Sequence, residues 1–340
     1  MISVAKVSFV VPIYNVEKYL PRLADSLKNQ TMSDFEALLV NDGSTDLSGK
    51  ICEDIVAGDS RFRLISKENG GVASARNAAL DAAVGDYVVF VDPDDWIEPE
   101  SLEILTGTAD RERADIVMFG MHNDTVDENG ELLKTFVTAP SFAGVYKDHP
   151  CKRIFDKLAT AYLITTKLVR RSFIEKYHCR FPDMHIGEDG VFCLTLFGND
   201  PECLAVLDVP LYHYTIARKT SLSNSYHPER LKNNFILSNL AWDTVEKWGL
   251  LQSPMHLKSV RYCTVRDLQI SIKNISLSPM PFLERRRWLK ETVKQERISS
   301  SVKYTPVSMS HSRNDRIKLM LLKAHMYSAV IIASGLNQRS

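Results

Sequence analysis

Three aspartates stand within four residues of the chain, at Asp92, Asp94 and Asp95, directly after an apolar run. Their carboxylates repel one another, so the cluster needs either a compensating cation or free access to water. Hard divalent cations such as Mg²⁺ and Mn²⁺ prefer oxygen ligands and bridge to diphosphate oxygens. The alternative is a solvated turn whose aspartates cap the next helix. The residues alone favour neither interpretation over the other.

The first 120 residues, which surround this cluster, alternate between short apolar runs and helical patterns. Almost continuously apolar runs are typical of strands that are buried on both faces of a parallel or mixed sheet. The predicted strands are Val7–Pro12, Phe35–Asn41, Phe62–Ser66, Tyr87–Val91 and Ile116–Phe119. The predicted helices between them are Val16–Asn29, Leu47–Ala57, Val72–Val84 and Glu100–Arg111. This alternation predicts a doubly wound α/β sheet.

Ligands of such sheets bind beyond the carboxyl ends of the strands. We therefore expect Pro12–Asn15, Asn41–Ser44 and Asp92–Asp95 to line one edge of the sheet. The polar stretch His122–Ala143 predicts a hairpin or a mobile loop, and the chain beyond it is mixed α/β to about Ser225. The remaining pattern is helical, with helices predicted near Pro228–Trp248, His256–Ile275, Pro281–Glu296 and Asn314–Ser334.

The composition is that of an ordinary folded protein, with 44% hydrophobic and 25% charged residues among 340. The formal net charge is zero, which gives no electrostatic reason to expect nucleic acid as a partner. The six cysteines form no Cys-x-x-Cys pair, so zinc ligation is not expected. Neither a signal peptide nor a spanning segment is evident. We expect a cytoplasmic protein with reduced thiols.

Four motifs in a fixed order carry a family resemblance: Val10–Asn15 (VVPIYN), Val40–Asp46 (VNDGSTD), Asn69–Asn77 (NGGVASARN) and Val91–Asp95 (VDPDD). With them the chain resembles the bacterial family 2 glycosyltransferases, which are inverting enzymes of the GT-A fold that use nucleotide sugars. The resemblance implies a Rossmann-like, doubly wound mixed sheet over residues 1–225. Within it, residues 1–120 would hold the nucleotide sugar and residues 145–225 the acceptor. Residues 226–340 would form a mainly helical C-terminal region.

Four residues are candidates for the nucleotide. Pro12 and Tyr14 end the first strand, where an aromatic face and exposed backbone groups could hold a uracil ring. Asp42 could accept a hydrogen bond from the base, and the guanidinium of Arg76 could contact the base or balance phosphate charge. In the alternative, Tyr14 lies at the rim of the core, Asp42 belongs to a turn, and Arg76 lies on a helix surface.

The resemblance also assigns the leaving-group side of the reaction. It implies that Asp92 holds the ribose and that Asp94 binds Mn²⁺ or Mg²⁺, while Asp95 has no assigned role. By similarity to related enzymes, His213 is a further metal candidate, although a histidine between two tyrosines is often a hydrogen-bonded core residue. Arg218 and Ser221 are candidates to close over the diphosphate.

Glu188 and Asp189 resemble the family's Glu-Asp motif at the start of a predicted helix. In that family the second acid, here Asp189, takes the proton from the acceptor hydroxyl during in-line displacement. One base and one attacking hydroxyl imply inversion at the anomeric carbon. A general base contributes roughly 10²–10⁴ in rate. The alternative is that both carboxylates only complement the positive end of the helix.

The basic tail Arg313–Ala333 predicts either an amphipathic helix at a membrane surface or an ordinary helix packed on protein. Membrane contact at the inner face of the cell membrane would suit a lipid-linked glycan acceptor of cell-surface polysaccharide synthesis. The expected partners are thus a nucleotide-sugar donor and a glycan or lipid-linked glycan acceptor, and a homo-oligomer stays open. Two other functions are weighed: nucleotidyl transfer, and nucleotide-sugar or glycan binding without turnover. The first would favour a Gly-rich loop with Lys or Arg after the first strand, which the chain lacks.

Overall fold

The computed structural model describes residues 5–127, 130–159, 161–217, 226–310 and 312–336. The chain divides into two compact units. The first comprises Met1–Arg153 and Leu163–Ser221, and we call it the sheet unit. The second comprises Ile154–Tyr162 and Leu222–Ser340, and we call it the helical unit. A short segment of the chain thus leaves the sheet unit, contributes to the helical unit, and returns.

The strands of the sheet unit form one ten-stranded sheet in the described part of the chain. They are β1 (Val7–Ile13), β2 (Phe35–Asp42), β3 (Phe62–Lys67), β4 (Tyr87–Phe90), β5 (Trp96–Ile97), β6 (Ile116–Val126), β7 (Leu132–Thr138), β8 (Gly144–Lys147), β9 (Lys167–Arg170) and β10 (Cys203–Ala217). Their order is β3-β2-β1-β4-β9-β6-β10-β5, with β7 beside β6 and β8 beside β10. The first four strands are parallel, whereas β9 runs antiparallel to both of its neighbours. The predicted doubly wound mixed sheet is therefore confirmed.

Helices cover the buried strands because apolar positions recur on one face of each. The helices up to residue 198 are α1 (Leu20–Lys28), α2 (Ser48–Gly58), α3 (Gly71–Ala82), α4 (Ser101–Glu112), α5 (Pro150–Arg153), α6 (Phe155–Leu158), α7 (Arg171–Lys176) and α8 (Glu188–Gly198). In α1, for example, Leu20, Leu23 and Leu27 are almost fully buried. Every residue of β1 is buried as well, as its almost continuously apolar run predicts.

The polar stretch that begins at His122 contains a hairpin, one of the two predicted alternatives. β6 continues to Val126 and pairs antiparallel with β7, with Met121 opposite Thr138. All seven residues of β7 are exposed. An exposed strand that is held along one side explains why this stretch lacks the apolar run of the buried strands.

The helical unit contains α6 and six longer helices, α9 (Arg230–Lys247), α10 (Pro254–Ser276), α11 (Phe282–Lys294), α12 (Glu296–Tyr304), α13 (Arg313–Lys323) and α14 (Tyr327–Leu336). One prediction was wrong here. The single helix Asn314–Ser334 is two helices, because the chain takes a left-handed conformation at His325 with φ of 56°. The helix predicted for Pro281–Glu296 ends at Lys294, and α12 follows it as a separate helix.

The tail of the chain packs on protein through its apolar side chains. Leu319 and Leu322 of α13 and Val330 and Ile331 of α14 belong to the core of the helical unit. No helix among the described residues is long and apolar enough to cross a membrane. All six cysteines are buried free thiols, as predicted.

Candidate active site

The carboxyl ends of β1 and β2 meet at one edge of the sheet, as predicted. The backbone N–H of Thr45 donates to the Asn15 side chain at 2.8 Å, and the backbone N–H of Asn15 donates to the Ser44 hydroxyl at 3.2 Å. These bonds join the loop after β1 to the loop after β2. Pro12 is buried within β1, whereas Tyr14 is 50% exposed and presents its ring to solvent. Tyr14 is thus available for the predicted stacking on a base.

Asp42 ends β2 and fixes the loop that precedes α3. Its carboxylate accepts hydrogen bonds from the backbone N–H groups of Gly70 and Gly71, the latter at 2.7 Å, and from the Lys67 ammonium at 2.6 Å. Gly71 has a φ of +83°, a conformation that favours glycine. The carboxylate therefore holds the start of the helix that carries Arg76. Its contact with a base stays a prediction.

Arg76 joins the two acidic motifs, which are nearly a hundred residues apart in sequence. Its guanidinium donates to Asp92 at 2.8 Å, to Glu188 at 3.1 Å and to Asp189 at 2.5 Å. The side chain is 3% exposed, and the ring of Phe181 lies 5.3 Å from the guanidinium. Three nearby carboxylates raise the pKa of Arg76. The alternative of a surface arginine is therefore wrong, because this side chain is buried at the centre of a charge network.

Asp94 differs from its neighbours because no other residue in the described chain donates a hydrogen bond to its carboxylate. Burial and the nearby Asp92 charge raise the pKa of Asp94 to about 6. The backbone carbonyl of Asp94, by contrast, accepts hydrogen bonds from Arg22 at 2.6 Å and from the Thr215 hydroxyl at 2.5 Å. The backbone is thus fixed while the carboxylate oxygens stay available to a ligand.

Asp95 has a structural role that the sequence did not indicate. Its carboxylate accepts hydrogen bonds from the Tyr212 hydroxyl at 2.6 Å and from the backbone N–H of Thr215 at 2.7 Å. The same Tyr212 oxygen accepts from the backbone N–H of Asp92 at 3.1 Å. Burial and the repulsion of Asp94 and Asp92 raise the pKa of Asp95 well above its usual range. Asp95 and Tyr212 thus hold the acidic loop against β10.

Glu188 and Asp189 occupy the first turn of α8, after Gly187 in a left-handed conformation with φ of 91°. Burial raises the pKa of Asp189 to about 7, although the Arg76 charge opposes the shift. Burial also raises the pKa of Glu188. The fully buried Lys167 contributes positive charge toward Asp189. A carboxyl that ionises near neutral pH is well suited to general-base catalysis.

The charges of this site do not balance. Five carboxylates face two guanidinium groups and one buried ammonium: Asp92, Asp94, Asp95, Glu188 and Asp189 against Arg22, Arg76 and Lys167. Excess negative charge in a partly buried site raises carboxyl pKa values, and a bound cation removes the excess. The open Asp94 carboxylate is the group in this set that fits a hard divalent cation.

His213 lies in a second cluster that contains Glu98 and His122. The Nε2 atom of His213 is 2.9 Å from a Glu98 oxygen, and Nε2 of His122 is 3.5 Å from the same oxygen. These three side chains each offer one ligand atom, and the atoms lie within 4.8 Å of one another. The Nδ1 atom of His213 lies 2.7 Å from the Asp124 carboxylate, an arrangement that orients metal-binding imidazoles in known sites.

A stack of rings connects this second cluster to the acidic loop. The Arg22 guanidinium lies over Trp96 at 3.9 Å, and Trp96 stacks on His213 at 4.5 Å. His213 in turn stacks on His122 at 4.5 Å. Because Arg22 also donates to the Asp94 carbonyl, the stack supports the loop that carries the candidate metal ligand.

The structure therefore brings together Arg76, Asp92, Glu188 and Asp189 by direct contact. Arg218 and Ser221 lie outside the described residues. Sequence reasoning missed the roles of several residues that support the site: Arg22, Glu98, His122, Lys167 and Tyr212. The contacts of Arg22, Glu98, His122 and Tyr212 depend on the pairing of β5, β6 and β10, and Lys167 is positioned by the pairing of β9 with β6; no local pattern reveals these pairings.

Comparison with known proteins identifies the family. A sequence model of glycosyl transferase family 2 matches residues 8–178. The chain is 29% identical over 326 residues to the uncharacterized glycosyltransferase EpsJ of Bacillus subtilis, a match that covers 93% of this chain and 92% of that protein. It is 35% identical over 137 residues to a chondroitin synthase of Pasteurella multocida. This match covers 40% of this chain and 14% of that protein.

Among solved structures, S. aureus TarS 1-349 in complex with UDP-GlcNAc is similar, with a TM-score of 0.65 at 21% identity. The match covers 98% of this chain and 92% of that one. At this identity the likeness shows a shared GT-A fold. The chain belongs to glycosyl transferase family 2 and is a glycosyltransferase.

Proposed function

We propose that this protein transfers a sugar from a UDP-sugar to a hydroxyl of a glycan or lipid-linked glycan, with inversion at the anomeric carbon. The contacts of Arg76 carry this proposal. They bring two acidic groups to one guanidinium. The acidic loop after β4 is on the donor side of the proposed reaction, and the acidic pair of α8 is on the acceptor side. Residues 1–120 then supply the donor subsite, and residues 145–225 supply the base.

The donor is held by groups at the strand ends. Tyr14 offers its exposed ring to the uracil, with Pro12 and Asp42 beside it, and Asp92 accepts a hydrogen bond from the ribose. TarS binds UDP-GlcNAc on a similar fold, which supports UDP as the nucleotide. When the donor binds, its negative charge competes with Asp92 and Asp189 for Arg76. Arg218 and Ser221 stay in the proposal as residues that close over the diphosphate.

Asp94 would hold the divalent cation, Mn²⁺ or Mg²⁺. The excess of negative charge and the open Asp94 carboxylate fit such a cation. When bound, the cation neutralises charge that develops on the leaving diphosphate. His213 stays a further candidate ligand, now together with Glu98 and His122.

Asp189 acts as the general base. It accepts the proton of the acceptor hydroxyl while that oxygen forms a bond to the anomeric carbon. The bond between this carbon and the phosphate oxygen breaks on the opposite face, and the nucleoside diphosphate leaves with the electron pair. A single displacement inverts the anomeric configuration. Glu188 keeps Arg76 in place beside the base.

The relatives support the acceptor class that we propose. The match to a chondroitin synthase supports a role in assembling a polysaccharide, and we propose cell-surface polysaccharide synthesis in bacteria. The protein would then work in the cytoplasm at the inner face of the membrane. Exposed apolar side chains on the tail, Met320 and Ile332, are available for peripheral membrane contact.

A donor panel tests the proposal. UDP-, GDP- and dTDP-sugars are incubated with the protein and Mn²⁺, and the release of nucleoside diphosphate is measured. We expect release from at least one UDP-sugar and its loss on addition of EDTA. Release from GDP- or dTDP-sugars alone would contradict the choice of nucleotide. Binding of all donors without any release would instead support a binding protein.

A further inference from the structure

A cavity of about 350 Å³ opens in the helical unit, between the start of α10 and the end of α12. It lies entirely within one compact unit, so its shape is set by the packing of these helices. Its lining mixes cationic, hydroxyl, amide and apolar groups: Gln252, Pro254, Leu257, Lys258, Arg261, Tyr304, Thr305 and Pro306. The proposed transfer reaction uses none of these residues.

Two buried polar atoms at this cavity lack hydrogen-bond partners among the described residues. They are the Nε atom of Arg261 and the hydroxyl oxygen of Thr305, whose side chain is 2% exposed. A buried polar group without a partner costs free energy, and native proteins contain few of them. Both atoms are enclosed by the protein and are out of contact with solvent, so they lie behind the cavity wall and not on its surface.

The charge of the lining favours an anion. Lys258 and Arg261 both contribute positive charge, and none of the lining residues is acidic. Neither cation forms an ion pair with any residue in the described ranges. The Arg261 guanidinium lies 4.6 Å from the Tyr304 ring, a cation–π contact that orients it. A guanidinium fixed in this way offers its N–H groups in a plane that matches a phosphate.

The surroundings of Lys258 include one acidic residue. Lys258 also lines a neighbouring cavity of about 290 Å³ that contains Asp156. The Asp156 carboxylate already lies 3.4 Å from the Lys157 ammonium. Lys258 itself is exposed and has no such partner. The positive charge at the cavity is therefore not cancelled by a carboxylate.

The position of the cavity adds a second electrostatic contribution. Gln252 and Pro254 lie at the N-terminus of α10, a helix of 23 residues. The N-terminus of a helix carries partial positive charge and unsatisfied N–H groups, both of which favour anions. Two side-chain cations and this helix end thus converge on one volume.

We propose that this cavity binds a phosphate-bearing ligand, with the phosphate at Lys258 and Arg261 and an organic portion against Tyr304 and Leu257. The shared chemistry is a phosphate ester or diphosphate. It can come from two sources, the headgroup of a membrane lipid or a soluble phosphate compound. The site is separate in sequence from the donor site and does not depend on the proposed transfer reaction.

The test measures binding of two probes in the presence of EDTA, which suppresses metal-dependent binding of phosphates elsewhere. Pyrophosphate is titrated by calorimetry, and vesicles of phosphatidylcholine with and without phosphatidylglycerol are used in sedimentation. The variants are Arg261→Gln and Lys258→Gln. Because Lys258 is exposed, its substitution leaves the fold intact, and melting temperatures check Arg261→Gln. Lys290→Gln, an exposed cation of α11 outside the cavity, is the matched control.

We expect one probe to bind the wild-type protein and to bind each cavity variant about tenfold more weakly, since each loses a charge-assisted hydrogen bond. The control should bind as the wild type does. Binding of pyrophosphate alone identifies a soluble phosphate, and binding of phosphatidylglycerol vesicles alone identifies a lipid headgroup. If neither probe binds, or if both cavity variants bind as tightly as the wild type, the proposal is overturned.

Discussion

At the scale of single residues, Arg76 organises the site because, among the residues that the structure describes, it is the one buried cation in contact with three carboxylates. Buried ion pairs add little net stability by themselves, but removal of one partner leaves buried charge without compensation. In the absence of donor, the arginine keeps Asp92 and Asp189 close together. A donor phosphate can then replace one acid as its partner.

Replacement of Arg76 tests this role. Arg76→Met should lower the free energy of unfolding by about 3–5 kcal/mol, because three partly buried carboxylates lose their counter-charge. The free energy of unfolding of Arg76→Lys should lie between that of Arg76→Met and that of the wild type, since an ammonium cannot bridge three acids. The measurement is urea unfolding without metal, above pH 7, where Asp189 is ionised.

Arg180→Met is the matched control. Arg180 pairs with Asp81 at 2.8 Å on the surface, with side chains that are 40% and 66% exposed. Its loss should cost less than about 1 kcal/mol. Equal losses for Arg76→Met and Arg180→Met would show that the buried network does not hold the site together.

The pH dependence of turnover reports on Asp189. A general base must be ionised, and burial raises the pKa of this carboxyl to about 7. The value of kcat/KM for the donor should therefore fall about tenfold per pH unit on the acid side and level off on the alkaline side. The midpoint should lie near pH 7, or somewhat lower with a cation bound, because nearby positive charge favours the carboxylate. A profile that rises as pH falls would rule out Asp189 as the base.

At the scale of secondary structure, the strands of the first half could be predicted because local patterns determine them. β1, β2 and β4 are apolar runs with polar residues directly after them, so the sequence alone predicted the edge at which Asn15, Asp42 and Asp92 lie. The break between α13 and α14 was not predictable in this way. It depends on a left-handed His325, a residue type that gives no strong signal for that conformation.

In the candidate active site, too, local sequence patterns predict some of the residues and not others. The acids and Arg76 stand in recognisable motifs, whereas Glu98, His122 and Tyr212 reach the site only through the pairing of β10 with β5 and β6. Such pairings join residues about a hundred positions apart, and no periodicity encodes them. Asp95 illustrates the difference, since its role became clear only from its contacts with Tyr212 and Thr215.

The attachment of the acidic loop to β10 can be measured. Tyr212→Phe removes the hydroxyl that joins the Asp92 backbone to the Asp95 carboxylate, and it leaves two polar groups without that partner. We expect a loss of about 1–3 kcal/mol in the free energy of unfolding. The control is Tyr214→Phe in the same strand, where the ring is 38% exposed and its hydroxyl has no described hydrogen bond. Equal effects of the two substitutions would contradict the anchoring role of Tyr212.

At the scale of the whole molecule, the chain combines a sheet unit, to which we assign the transfer chemistry, with a helical unit that has its own core and its own candidate ligand cavity. Under the proposed function, two acidic motifs of the sheet unit have different roles. Asp94 would hold the cation and the leaving group, and Asp189 would activate the acceptor. Arg76 connects the two motifs.

This division of labour is tested most directly by UDP binding and UDP release, measured side by side with Mn²⁺ on the wild type, Asp189→Asn and Asp94→Asn. Asp189→Asn should bind UDP at least as tightly as the wild type, because a carboxylate that competes for Arg76 is removed, and should release UDP from a UDP-sugar roughly 10²–10⁴ times more slowly, because the base is lost. Asp94→Asn should lose the Mn²⁺ dependence of UDP binding. Full turnover by Asp189→Asn, or loss of its UDP binding, would contradict the assignment.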